Sequence, residues 1–166
     1  SAGQYASEPF RILAGENHAY TVSRLLYGQQ DGDKKLPIIS MGDYNNEPFN
    51  RSMQEYLLGT RDPGRVRYSK SGYMLSLMWC LMQGYDPGTY IYGSDWNMLD
   101  QFLVSYGMLY TASQVRVNPG SADIFRPKIL TVSGGKPRAF KRPSVKRGAD
   151  LDGYSDHFPI TLELIV

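Results

Sequence analysis

Apolar positions at roughly helical spacing (Ile12, Ala19, Val22, Leu25 and Leu26) predict a first helix. Ser7-Glu8-Pro9 supplies its start, with Ser7 as N-cap and Pro9 in the first turn, and Gly28 ends it before the polar loop QQDGDKK. A short apolar run over residues 36–41 reads as a buried strand that stops at Gly42 and presents Asp43 and Asn45. In extended chain those two side chains point the same way. Asn50 caps a predicted helix over 51–58, with Met53, Tyr56 and Leu57 on one face and Gly59 just past its end. RDPGRVRYSK reads as a solvated basic loop, with contact to substrate phosphates as the alternative. Residues 73–82, through Leu75, Met78, Leu81 and Met82, suggest a short core helix broken by GYDPG.

Two strands follow, 89–92 and 98–105, joined by a Gly-containing turn. Asp100 lies inside the second, an otherwise apolar strand; burying its carboxylate there demands a partner, and the alternative is an exposed strand position or a cap for a neighbouring loop. Residues 111–125 and 128–133 read as loop with strand fragments. GGKPRAFKRPSVKRG, 134–148, carries the densest positive charge. Either it is a merely soluble loop or it contacts phosphate, with Arg142 and Lys146 as the candidates. At the end, Phe158, Ile160, Leu162 and Leu164 alternate with Thr161 and Glu163, the pattern of antiparallel sheet with one buried face.

The chain's 166 residues suffice for one domain with a core, and no repeat or linker divides it. A net charge of +2 is too small to imply nucleic acid by itself. The single cysteine, Cys80, excludes an internal disulfide and a cysteine-based zinc site. No apolar run approaches the ~20 residues that span a bilayer. The opening SAGQYASEPFR does not read as a signal peptide and leads into a helix with no opening strand, as if in mid-domain. Compartment is left open.

Asp43, Asn45, Asp100, Asp156 and His157 supply three carboxylates, an amide and an imidazole. Hard oxygen ligands with one His suit Mg²⁺ or Mn²⁺ better than zinc. An Asp bonded to a His fixes its tautomer and favours its charged form. Together the parts fit metal-assisted attack of water on a phosphate ester. Neither GxSxG nor a GxxxxGK[ST] phosphate loop occurs. His18, on the first helix without neighbouring ligands, reads as a packing or surface histidine.

IISMGDYNNEPFNRS, NMLDQFLVS and GYSDHFPITLEL resemble, in order, the three C-terminal motifs of the endonuclease/exonuclease/phosphatase superfamily, the deoxyribonuclease I-like fold. The resemblance implies an α+β architecture: the C-terminal half of a four-layer α/β-sandwich, mostly antiparallel sheet with flanking helices. It implies a Mg²⁺- or Mn²⁺-dependent phosphoesterase. Asp43 would position or activate the attacking water and share the metal. Asn45 would bond the scissile phosphate in the transition state. Asp100 would orient His157, which would contact the phosphate or act as general acid/base. Asp156 would ligate the metal or support a ligand of it.

The family's opening motifs, a strand ending in Asn, a metal-binding Glu and an Asn-His pair, are not found in this sequence. The expectation is a single partial domain over 1–166 with its N-terminal strands missing. A sheet face including Ile160, Leu162 and Leu164 would then lie bare. It would need the missing half as a second chain, or self-association, and this chain alone would turn over little. The substrate stays open among DNA, RNA, inositol phosphates and sphingomyelin. Tyr90, Tyr92 and Trp96 would stack on bases if it is nucleic acid, and aromatic core packing explains them equally well. The alternative is a non-catalytic interaction module that keeps the fold.

Overall fold

The computed structural model describes residues 4–28, 32–85, 87–140 and 152–166. The first helix, α1 (Gln4–Tyr27), is 24 residues long and starts before the predicted cap. Pro9 therefore sits inside it, where it lacks the N–H for a helical bond. Ser7 does not cap; its hydroxyl accepts from the Arg11 guanidinium one turn on. Ala19, Val22 and Leu26 form the buried stripe, and Val22 and Leu26 pack with Met53, Leu57, Met74 and Leu103. Leu25, counted with that stripe from the sequence, is exposed, as are Leu13 and Tyr20.

Four strands form the main sheet: β1 (Ile39–Asp43), β2 (Gly59–Thr60), β3 (Met74–Ser76) and β6 (Asp100–Val104), in the order β1-β6-β3-β2. β6 runs antiparallel to β1 and β3, while the short β2 lies parallel to β3. The β1 strand does not stop at Gly42. Its φ of 141° lets the chain stay paired to Asp43, which lies opposite Asp100. That register brings two sequence-distant carboxylates to one end of the sheet.

Several local expectations change. Residues 73–82 are not a helix: Met74, Ser76 and Met78 are buried while Leu75 and Leu77 are half-buried, a period of two that builds β3 before a 3₁₀ turn at Trp79–Gln83. The predicted basic loop contains a short helix, α2 (Pro63–Tyr68), because Asp62 Oδ1 accepts from the Gly64 N–H and Pro63 occupies the first position. The expected helix over 51–58 is a π-helical turn, Ser52–Tyr56, and the left-handed residue that ends it is Leu58 rather than Gly59. Asn50 Oδ1 turns back to the Glu47 N–H instead of capping.

The Gly93 turn joins β4 (Tyr90–Tyr92) to a strand of its own, β5 (Asp95–Asn97), not to β6. After α3 (Tyr106–Leu109) come β7 (Arg116–Val117) and β8 (Asp123–Ile124). The predicted last strand is divided into β9 (Ile160–Thr161), paired with β8, and β10 (Leu164–Ile165), paired with β7. Between them Glu163 turns to the loop after β7: its N–H bonds Ser121, and its backbone and carboxylate oxygens take both N–H groups of Asn118. The face expected to lie bare is therefore covered in part: Ile160 and Leu162 are half-buried against the core around Met98, Phe102 and Ala122, and only Leu164 is exposed. No helix among the described residues is long and apolar enough to cross a membrane.

Candidate active site

Asp100, at the start of β6, has the partner its burial requires. Its Oδ2 accepts from His157 Nδ1 at 2.7 Å and from the Thr89 hydroxyl. Thr89 is fully buried and also accepts the Asp100 N–H through Oγ1. The fold brings His157 there by pairing its segment with the β4 strand: Tyr90 bridges His157, and the Phe158 N–H donates to the Thr89 carbonyl. The Tyr90 ring lies 4.8 Å from the imidazole, tilted by 32°. The Asp100 hydrogen bond, above all, raises the His157 pKa above 6.5. Partial burial works against that, and the charges of Asp100, Asp43 and Asp156 add to it. His157 is thus held with Nδ1 toward the carboxylate, which turns Nε2 away from it.

Asp43 and Asn45 sit across the same sheet end, both exposed. Sequence reasoning placed them in extended chain, but Asn45 has φ 50° and folds back. Asp43 Oδ1 accepts the Asn45 backbone N–H at 2.7 Å, and Asp43 Oδ2 accepts its side-chain amide at 3.1 Å. One N–H of that amide therefore fixes the carboxylate, and the other remains available for an anionic oxygen. Asp156, beside His157 in sequence, is exposed at the same mouth.

Three contacts tie the turn after β1 to the approach to β6. The Tyr44 N–H donates to the Leu99 carbonyl, Glu47 Oε2 accepts the Met98 N–H, and the buried Gln101 amide donates to Met98 and Asn46 carbonyls. Burial pushes the Glu47 carboxyl up, and the Met98 N–H partly offsets that. The sequence required a partner for Asp100 but carried no signal that Thr89 was one, because Thr89 meets it only through a turn and a hairpin. Glu47 and Gln101 were missed for the same reason.

A cleft of about 520 Å³ runs between α1 and the turn after β1, lined by Phe10, Arg11, Ala14 and His18 from the helix and by Asp43 and Asn45 from the turn. His18 Nε2 meets Ser40 Oγ at 2.7 Å, and Ser40 Oγ meets the Tyr44 hydroxyl. Its Nδ1 is buried with no hydrogen-bond partner among the described residues, and burial lowers its pKa below 6.5. Arg142 and Lys146 lie outside the described residues. Arg138, on the same basic stretch, faces Asp152 at 3.7 Å as an exposed pair.

A family profile described as the Endonuclease/Exonuclease/phosphatase family matches residues 1–165. The chain belongs to the endonuclease/exonuclease/phosphatase family. Membership accounts for the mixed α/β fold and makes a nuclease- or phosphatase-like hydrolase its functional context. No match is found among curated proteins or solved structures. As for metal, among the described residues no three His, Cys, Asp or Glu side chains are grouped to hold an ion. The mouth offers two exposed carboxylates, Asp43 and Asp156, whose charges both reach His157. Two carboxylates completed by water and phosphate oxygens is a usual arrangement for Mg²⁺, so this donor set fits that ion and not a site enclosed by protein ligands.

Proposed function

We propose that the chain is the C-terminal part of a four-layer, divalent-metal-dependent phosphoesterase domain. The observation that carries this is the Asp100–His157 pair, 2.7 Å apart, set at one sheet end with Asp43 opposite Asp100. Asp100 and Thr89 hold the imidazole so that Nε2 can give a proton to a leaving oxygen or bond a phosphate. Asp43, kept in place by Asn45, accepts a proton from the attacking water, and the free amide N–H of Asn45 steadies charge on the phosphate. Asp43 and Asp156 would hold Mg²⁺ or Mn²⁺, which when bound neutralises phosphate charge and acidifies water. With only these two carboxylates, we propose weak metal binding and little turnover by this chain alone, the missing N-terminal half or a second copy completing the sheet at the open side of β1. Met41 there is 70% exposed.

The test couples native and denaturing mass spectrometry, to establish that one chain is present, with hydrolysis of a generic phosphodiester and of duplex DNA. Hydrolysis that needs Mg²⁺, rises when the N-terminal half of the domain is supplied, and disappears in His157→Gln supports the proposal. Hydrolysis unchanged by EDTA or by His157→Gln sinks it. A second reading, a non-catalytic interaction module, draws on the lack of a three-residue metal group among the described residues. Partner binding with no turnover in the completed domain would favour it.

A further inference from the structure

Arg126 follows β8, one residue beyond Phe125, whose N–H donates to the Pro159 carbonyl. From there its guanidinium reaches three segments that build the Asp100–His157 pair. Nη2 donates to the Gly88 carbonyl at 2.8 Å, just before Thr89. Cζ lies 4.9 Å from the Trp96 ring, on β5 ahead of Asp100, and 5.3 Å from the Phe158 ring, next to His157. The two rings are near-parallel, 16° apart with centroids at 6.1 Å, and the one guanidinium lies within cation–π reach of both. The Gly88 backbone is itself pressed against Asn97, where a Cβ would lie 2.5 Å from the Asn97 carbonyl oxygen. Phe158 is only 1% exposed.

We propose that Arg126 is a positioning residue for the His157–Asp100 pair, clamping the Gly88–Thr89 strand, the Trp96 hairpin and the Phe158 ring into one block. It touches no reacting atom. The guanidinium fork is what the role requires: it donates a hydrogen bond to Gly88 while standing within cation–π reach of two aromatic rings. The inference deepens the phosphoesterase reading by naming what holds its acid–base pair, and its test does not depend on turnover.

The test is ¹⁵N-edited NMR of the full chain in EDTA, reading the His157 Nδ1 proton, which resists exchange with water only while the Asp100 hydrogen bond holds. Arg126→Met is expected to speed that exchange roughly tenfold or more, with the His18 signals unmoved. Arg126→Lys, which keeps the charge but not the plane, is expected to do the same. A Nδ1 proton equally protected in both variants overturns the proposal, and so does protection lost in Met but kept in Lys. If Arg126→Met fails to fold, Arg126→Lys and Trp96→Leu decide: loss of protection with an otherwise native amide spectrum supports the clamp, and full protection overturns it.

Discussion

The two histidines of the chain both lie near the turn that carries Asp43, in opposite electrostatic settings. His157 faces a carboxylate that is itself bonded to Thr89, with two more carboxylates near enough to act on it, and its charged form is favoured. His18 is more deeply enclosed, meets a neutral hydroxyl, has no acidic cause acting on it, and its neutral form is favoured. Burial pushes both imidazoles the same way; the hydrogen-bonded anion, helped by the charges of Asp43 and Asp156, reverses the outcome at His157. The difference lies in a carboxylate partner: it holds one imidazole toward its charged form, and its lack leaves the other to burial.

Asp100→Asn tests that account most severely. With that anion gone, burial is opposed only by the charges of Asp43 and Asp156, and His157 should move toward the behaviour of His18. Its NMR titration is expected to fall below that of wild type, and hydrolysis by the completed domain to drop about 10²-fold or more. A titration that stays put would show that Asp43 and Asp156, not Asp100, set the charge. Next in size is Thr89→Val, which keeps the shape but removes one donor from the buried carboxylate. Urea unfolding should show a loss of about 1.5–3 kcal/mol, the range for hydrogen bonds to charged groups. An unchanged midpoint would mean that water replaces the hydroxyl.

Legibility followed distance along the chain. The β1 strand, its Asp43 and Asn45, and the apolar strand with a misplaced carboxylate were readable, because each signal lies within a few residues. The Tyr73–Met78 segment was misread because Leu and Met at short spacing serve helix and strand alike; only the pairing with β6 selects the strand. The basic stretch at Asp62-Pro63 was misread despite a usable cap signal. The division of the last strand was invisible, since it depends on Asn118 and Ser121 reaching Glu163 from more than 40 residues away. The same holds for Thr89 and Arg126. They bear on the site through contacts that exist only once the hairpin and the His157 segment have met.

On the His18 side, Ser40→Ala should cost about 0.5–1.5 kcal/mol by cutting the chain from His18 to Tyr44. An equal cost in a His18→Gln background would show that the hydroxyl works for Tyr44 alone.

The smallest effect is the most discriminating, because the two histidines should tilt the pH dependence of stability in opposite senses. His157 has a raised folded-state pKa, so its contribution is fully present below about 6.5 and is lost as pH rises through the folded value. His18 has a depressed one, so its contribution is present above about 6.5 and is lost as pH falls from there toward the folded value. Urea unfolding across this range should therefore be flatter on the acid side in His18→Gln and flatter on the alkaline side in Asp100→Asn. Glu47, raised by burial, adds its own loss as pH climbs through its folded value, so the acid limb is best compared between variants that share Glu47. If His18→Gln leaves the acid limb as steep as wild type, the buried imidazole already takes up its proton in the folded chain, and the contrast between the two histidines fails at its weaker end.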